Sequence, residues 1–112
     1  MNIETTVIEY LNDKGYCASA SVPDPRPDEF VTVELTGGNY EVNISRPTLA
    51  IQAWSKTRLS ASVLAGNLIT DLQKLNVLSG IARSDINSYY HFADPDSRAE
   101  RYQIVVNLVI NE

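Results

Sequence analysis

Few residues in this chain have types suited to bond-making chemistry. There is one histidine, His91, in Tyr89-Tyr-His-Phe92, and one cysteine, Cys17. A serine or cysteine hydrolase needs a base beside its nucleophile, and that base would have to be His91. Neither residue lies in a nucleophile motif, so a Cys17–His91 encounter would have to be made by the fold. A zinc site needs clustered Cys and His, which one of each cannot provide. Asp94-Pro-Asp96 has the look of a calcium loop but lacks the further acidic ligands and closing Glu, and it reads as a turn. Gly37-Gly38 is not a phosphate loop, because no Gly-Lys-Ser/Thr follows it and no helix begins there. The residues therefore predict no catalytic group, cofactor or metal, and direct attention to surfaces.

The elements that would carry such surfaces follow from periodicity. Asn2 caps a helix over residues 3 to 13, with Ile3, Val7, Ile8 and Leu11 at helical spacing and Gly15 as a left-handed stop. Tyr16 to Val22 alternates as a short strand. A stiff loop rich in proline follows, from Pro23 to Glu29. From Phe30 the alternation sets Val31, Val33 and Leu35 against Thr32, Glu34 and Thr36, the pattern of a half-buried strand. Gly37-Gly38-Asn39 supplies the positive φ of a hairpin turn, with Tyr40 to Ile44 as the returning strand. Arg46-Pro47 then resets the path, and Thr48 to Trp54 forms the next strand, with Leu49, Ile51 and Ala53 on one face.

A second helix is predicted over about residues 58 to 75, capped by Ser60, with a stripe of Leu64, Leu68, Leu72 and Leu75 beside Ala61 and Ala65. That stripe reads as core more readily than as a dimer seam. Ile81 to Phe92 forms a strand, Ala93 to Ser97 a turn, and Glu100 to Ile110 a central strand, with Tyr102, Ile104, Val106, Leu108 and Ile110 on one face. The fold class is therefore α+β: a mostly antiparallel sheet with a β-hairpin and two helices mainly on one face, in a single domain over residues 1 to 112.

Composition narrows the function classes. Of 112 residues, 44% are apolar and 21% charged, which places the chain with globular rather than disordered proteins. A net charge of −5 disfavours duplex binding, which needs Lys and Arg to displace counterions, and favours protein partners. The start of the chain has neither the basic residues nor the apolar run of a signal peptide, and no stretch approaches membrane-spanning length, so the expectation is a soluble protein made inside the cell. Tyr89-Tyr-His-Phe92 puts large apolar surface on both faces of one strand, to be covered either by the proline loop or by a partner.

Three segments and their order resemble the tail-terminator or tail-completion proteins, the minor neck proteins of long-tailed bacteriophages. They are Thr32-Val-Glu-Leu-Thr-Gly-Gly38 entering a hairpin, Arg46-Pro-Thr-Leu-Ala-Ile-Gln-Ala-Trp54 leading to an Ala-rich helix, and Ser88-Tyr-Tyr-His-Phe-Ala-Asp-Pro95 followed by Arg101-Tyr-Gln-Ile-Val-Val-Asn-Leu-Val109. The resemblance implies a homohexameric ring that caps the tail tube, ends its polymerisation and presents a surface to the head-side connector, with DNA only passing through its lumen. It also implies a place in the virion neck after assembly in the host cytoplasm. By position, the contact residues it suggests are Gly37, Gly38 and Asn39 in the hairpin, Arg46 and Trp54 beside the middle strand, and Tyr89, Tyr90, Asp94 and Arg98 in the later segment. The alternatives are a head-completion or adaptor protein of the same neck and a small acidic protein-binding module.

Overall fold

The computed structural model describes residues 1 to 111. It is an α+β fold in which two helices cover one face of a five-stranded, mostly antiparallel sheet. The elements are α1 (Ile3–Asp13), β1 (Ala18–Ser19), β2 (Phe30–Glu41), β3 (Ile44–Ser55), α2 (Arg58–Leu72), a short 3-10 turn (Leu75–Val77), β4 (Ile81–His91) and β5 (Glu100–Asn111). The strand order is β1-β2-β3-β5-β4. Strands of about twelve residues rising ~3.3 Å each span ~40 Å, and they set the 44 Å long axis of the molecule.

Local chemistry explains the helix ends. The Asn2 side chain accepts the Thr5 N–H at 3.1 Å. At the other end Gly15, at φ +99°, lets Tyr16 N–H reach Leu11 O (3.1 Å) and Gly15 N–H reach Asn12 O (3.0 Å), the paired bonds of a Schellman stop. The helix buries Ile3, Val7, Tyr10 and Leu11. α2 starts at Arg58, as predicted, but its cap is Thr57 rather than Ser60, and Ser60 is the reciprocal partner of Thr57 in a capping box. The helix closes earlier than predicted, at Leu72, and Leu75 joins the core from the 3-10 turn. Leu64, Ala65, Leu68, Leu72 and Leu75 of the stripe lie in that core, as the periodicity predicts, and Ala61 is buried beside it.

The hairpin is where sequence and structure part. Gly37-Gly38-Asn39 does not turn the chain; it runs within β2, and the turn lies at Val42-Asn43, where Asn43 takes φ +62°. Residues 40 and 41 still run outward, and the strands predicted at 40 to 44 and 48 to 54 are replaced by one return strand, β3. Thr36 is the inserted residue of a bulge: Leu35 pairs with Leu49 but Gly37 with Thr48, and the Thr36 hydroxyl donates to Thr48 O. Gly38, at φ +133°, lies so close to the partner strand that a Cβ would overlap the Arg46 carbonyl. Glycine is thus required for close approach of two strands rather than for a turn. Arg46-Pro47 does not break β3 either. The register with β5 is the same on both sides of the pair, and pairing is missing only across Arg46 and Pro47, where proline lacks the amide proton.

Two smaller corrections concern strands. The strand predicted over Tyr16 to Val22 shrinks to Ala18–Ser19 and runs parallel to β2. Its free side is satisfied by the Asn12 side chain, which donates to Ala18 O (3.0 Å) and accepts from Ala18 N–H (2.8 Å). Leu35, assigned to the core face, is exposed, and its N–H donates to the Glu4 carboxylate at the start of α1 at 2.6 Å. The central position of β5 is as expected, and Ile104, Val106, Leu108 and Ile110 are buried.

The helices are tied together by a polar contact at their C-terminal ends. The Tyr16 hydroxyl donates to Asp71 Oδ2 at 2.6 Å, and the Tyr10 hydroxyl donates to Asp71 O at 2.7 Å. Burial, and then the Asp71 carboxylate, push both phenols above their ordinary range, Tyr16 more strongly. A raised pKa favours the protonated fold, so this contribution is intact below about pH 10 and is lost as the pH rises above that value. Tyr16→Phe is expected to lower stability by about 1 kcal/mol at pH 8 and to flatten the further loss between pH 10 and 11, as read by urea unfolding at both ends of that window.

Candidate interaction surface

The helix-free face of the sheet is built around an aromatic stack. Phe30 on β2 and Trp54 on β3 are register partners, and their rings lie 5.2 Å apart and nearly parallel, at 15°. Both are buried, Trp54 to 3% exposure, so its side chain is enclosed by the protein itself and is not offered at the surface as its position in the sequence suggested. Two guanidinium groups close over the stack. Arg26, from the proline loop, sits 5.4 Å from the Trp54 centroid, and Arg101 sits 4.9 Å from it and 4.2 Å from that of Phe92. Arg101 Nε also donates to Phe92 O at 2.6 Å. The proline loop reaches the 93–99 loop through Arg26 Nη1 and Ser97 Oγ, 3.2 Å apart.

Next to the stack, a row of side-chain hydrogen bonds crosses four strands. Trp54 Nε1 donates to Thr32 Oγ1 (3.2 Å), Thr32 Oγ1 to Gln52 Oε1 (3.2 Å), Gln52 Nε2 to Gln103 Oε1 (2.8 Å), and Gln103 Nε2 to the Tyr90 oxygen (2.6 Å). The row satisfies amides on a half-buried surface and holds the Tyr90 ring in place. Sequence inspection missed it, since Thr32, Gln52 and Gln103 become neighbours only through register. The signal was there in part: a glutamine on each of two strands that otherwise read as buried.

The 93–98 turn is held by Asp94. Its carboxylate accepts from Ser97 Oγ at 2.7 Å and from Asp96 N–H at 3.1 Å. The Ser97 hydroxyl first, then the Asp96 amide, keep its pKa below the usual aspartate value. Arg98 follows on the exposed side of this turn.

Exposed apolar side chains include Leu59 and Val63 on the outer face of α2, Val77 after it, and Met1 and Val22; on the sheet they form two groups at its corners. On β4 and just beyond it, Tyr89 (61% exposed), Tyr90 and Phe92 stand out at the Trp54 end of the sheet. On the outer half of β2 and its turn, Leu35, Tyr40 (69%) and Val42 (85%) do the same at the opposite end. β2 and β4 lie on opposite sides of the central β3-β5 pair, so the two patches occupy diagonally opposite corners. β1 pairs only with Val31 and Thr32, so from Glu34 to Glu41 the outer edge of β2 has no strand beside it. Gly37 lies there, and a Cβ on it would meet nothing within 4 Å. An open cavity of about 330 Å³ runs past Leu35, Gly37, Tyr40 and Pro47. Asn39 and Arg46 are register partners on this arm, and Arg46 pairs with Glu41 at 3.1 Å.

The predicted contact residues therefore separate into two groups, Gly37, Gly38, Asn39 and Arg46 on the arm, and Tyr89, Tyr90, Asp94 and Arg98 at the far corner. Cys17 and His91 are not brought together. Cys17 adjoins β1 and His91 ends β4, at opposite edges of a sheet about 19 Å wide at ~4.8 Å per strand. His91 Nε2 instead meets Glu100 Oε2 at 2.6 Å. Among the described residues no cluster of His, Cys, Asp and Glu could hold a metal ion, and no helix is long and apolar enough to cross a membrane. Among known proteins, no family model matches this chain, and no curated sequence matches it.

Proposed function

We propose that this chain is a structural protein of the neck of a long-tailed bacteriophage, which forms a ring on the tail tube, ends its polymerisation and provides the surface that joins the head connector. The observation that carries this reading is the pair of unlike apolar patches at diagonal corners of one sheet. A ring closes when a heterologous interface repeats, and such an interface needs two different surfaces on each copy, set apart so that neither blocks the other. The arm edge, with its open glycine and exposed Leu35 and Tyr40, is suited to take a strand or an aromatic from a neighbour. The aromatic corner at Tyr89, Tyr90 and Phe92 is the other half. The order of segments along the chain supports the same reading through the resemblance described above, and the acidic balance suits a lumen through which DNA must slide.

Light scattering across concentration, with and without tail tubes, tests the reading. The expected result is a hexamer of the 12.4 kDa chain, free or on the tube end, visible as a ring in negative stain. A particle that stays monomeric or dimeric throughout and ignores tubes would sink it. Gly37→Val adds a sharper check. Because a side chain there meets nothing within the subunit, folding stability should change by no more than about 0.5 kcal/mol. Assembly should weaken about tenfold or more, equivalent to about 1.4 kcal/mol, because the new branch fills the open strip on the arm.

A further inference from the structure

The geometry points to a carboxylate-binding site at the seam between the proline loop and the 93–99 loop. A cavity of about 330 Å³ opens there, distinct from the one on the arm, with Arg26, Lys56 and Arg98 on its walls and Phe30, Pro27 and Ala99 among its apolar lining. Three cations share it with one acid, Asp28, which is engaged with Lys56 at 3.2 Å. The nearby Asp94 carboxylate, hydrogen-bonded to Ser97 and Asp96, keeps its negative charge and is also attracted by Arg26, leaving Arg98 as the cation with no acid on it.

The cations have donors to spare. A guanidinium carries five N–H donors. Arg26 uses one, on Ser97, while the Trp54 and Phe30 rings hold its plane in place. Arg98 makes no hydrogen bond, ion pair or ring contact with any described residue. A pre-positioned guanidinium beside a second, unengaged one is the arrangement that takes a planar two-oxygen anion through charge-assisted bonds. The apolar lining suits the methylene of an Asp or Glu side chain. With 14 acidic residues against nine basic ones, copies of this chain repel one another, and a cationic pocket that receives a neighbour's carboxylate offsets that repulsion. The identity of the donor as a second copy rests on the ring reading; the site itself does not.

The test is an NMR titration of the full chain with sodium acetate at low ionic strength. Saturable shifts are expected for the amides of residues 26, 28, 56 and 97 to 99. Arg98→Ala should weaken binding about tenfold, and because Arg98 is exposed and unpartnered the variant should fold normally. Arg83→Ala, which removes a cation engaged with Asp85 at 2.7 Å on β4, should leave it unchanged. Shifts that never saturate, or equal weakening by Arg83→Ala, overturn the site. Native mass of Arg98→Glu supplies the second arm. Loss of rings in this variant supports the carboxylate contact. Rings that form as in the unmodified chain overturn that contact and leave the ring reading standing. Saturable acetate binding by a chain that never assembles upholds the site and overturns the ring reading.

Discussion

Trp54→Ala is expected to lower stability by about 3–5 kcal/mol, the usual cost of deleting a large buried aromatic, and to lower the melting temperature by about 4 °C for each of these. The indole is 3% exposed, stacks on Phe30, and donates to Thr32 at the head of the cross-strand row. Its loss opens a cavity, leaves Thr32 Oγ1 without the indole donor, and removes the surface on which Arg26 and Arg101 rest. Trp54→Phe keeps the stack and loses the indole N–H, so it should recover all but about 1–2 kcal/mol. Differential scanning calorimetry of the two variants measures both figures. A Trp54→Ala chain that melts like the parent but fails to assemble would make the indole a contact residue after all.

Gly38→Val is expected to release the outer half of the hairpin. A Cβ at this position would overlap the Arg46 carbonyl oxygen and lie 2.7 Å from Pro47 Cα, and the φ of +133° is one that only glycine adopts at little cost. Both obstacles are backbone atoms, so no rotamer change removes them, and the strands must separate. The strain and overlap together amount to about 3–5 kcal/mol. β3 is also held by β5, whereas beyond Leu35, whose N–H the Glu4 carboxylate accepts, β2 has no strand on its second edge, so the outer half of β2 is the piece that leaves. Hydrogen exchange should show amide protection for residues 37 to 41 reduced about a hundredfold or more, with β5 protected as before. The contrast with Gly37→Val, which should spare the fold and weaken only assembly, separates the two adjacent glycines by role. Equal loss of protection in both variants would show that the arm is held by something other than the Gly38 approach.

The sequence by itself determined the class of the fold and most of its elements. The spacing of Ile3, Val7 and Leu11, the Leu64 to Leu75 stripe and the alternation in Glu100 to Ile110 are local patterns, and burying one face of each needs only a sheet beneath two helices. Capping at Asn2 and the stop at Gly15 were likewise legible, because a helix end is satisfied by residues within a few positions of it. The residue types also kept Cys17 and His91 apart from any nucleophile motif, and the sheet then placed them at opposite edges.

Tertiary structure alone decided everything that depends on register. A glycine pair signals either a turn or a close approach, and only the pairing of Gly38 with Pro47, shifted by the Thr36 bulge, selects the second. The turn went instead to Val42-Asn43, where one asparagine takes the positive φ. Pro47 looked like a break because its missing amide proton is a local fact, while the uninterrupted register of β3 with β5 on either side is a long-range one. Trp54 looked like a surface residue until Phe30 and two arginines from distant loops enclosed it. The hydrogen-bonded row and the cationic seam are made the same way, from residues far apart in the chain that meet only when four strands and two loops align. Periodicity tells which face a side chain takes; it does not tell which neighbour it will find there.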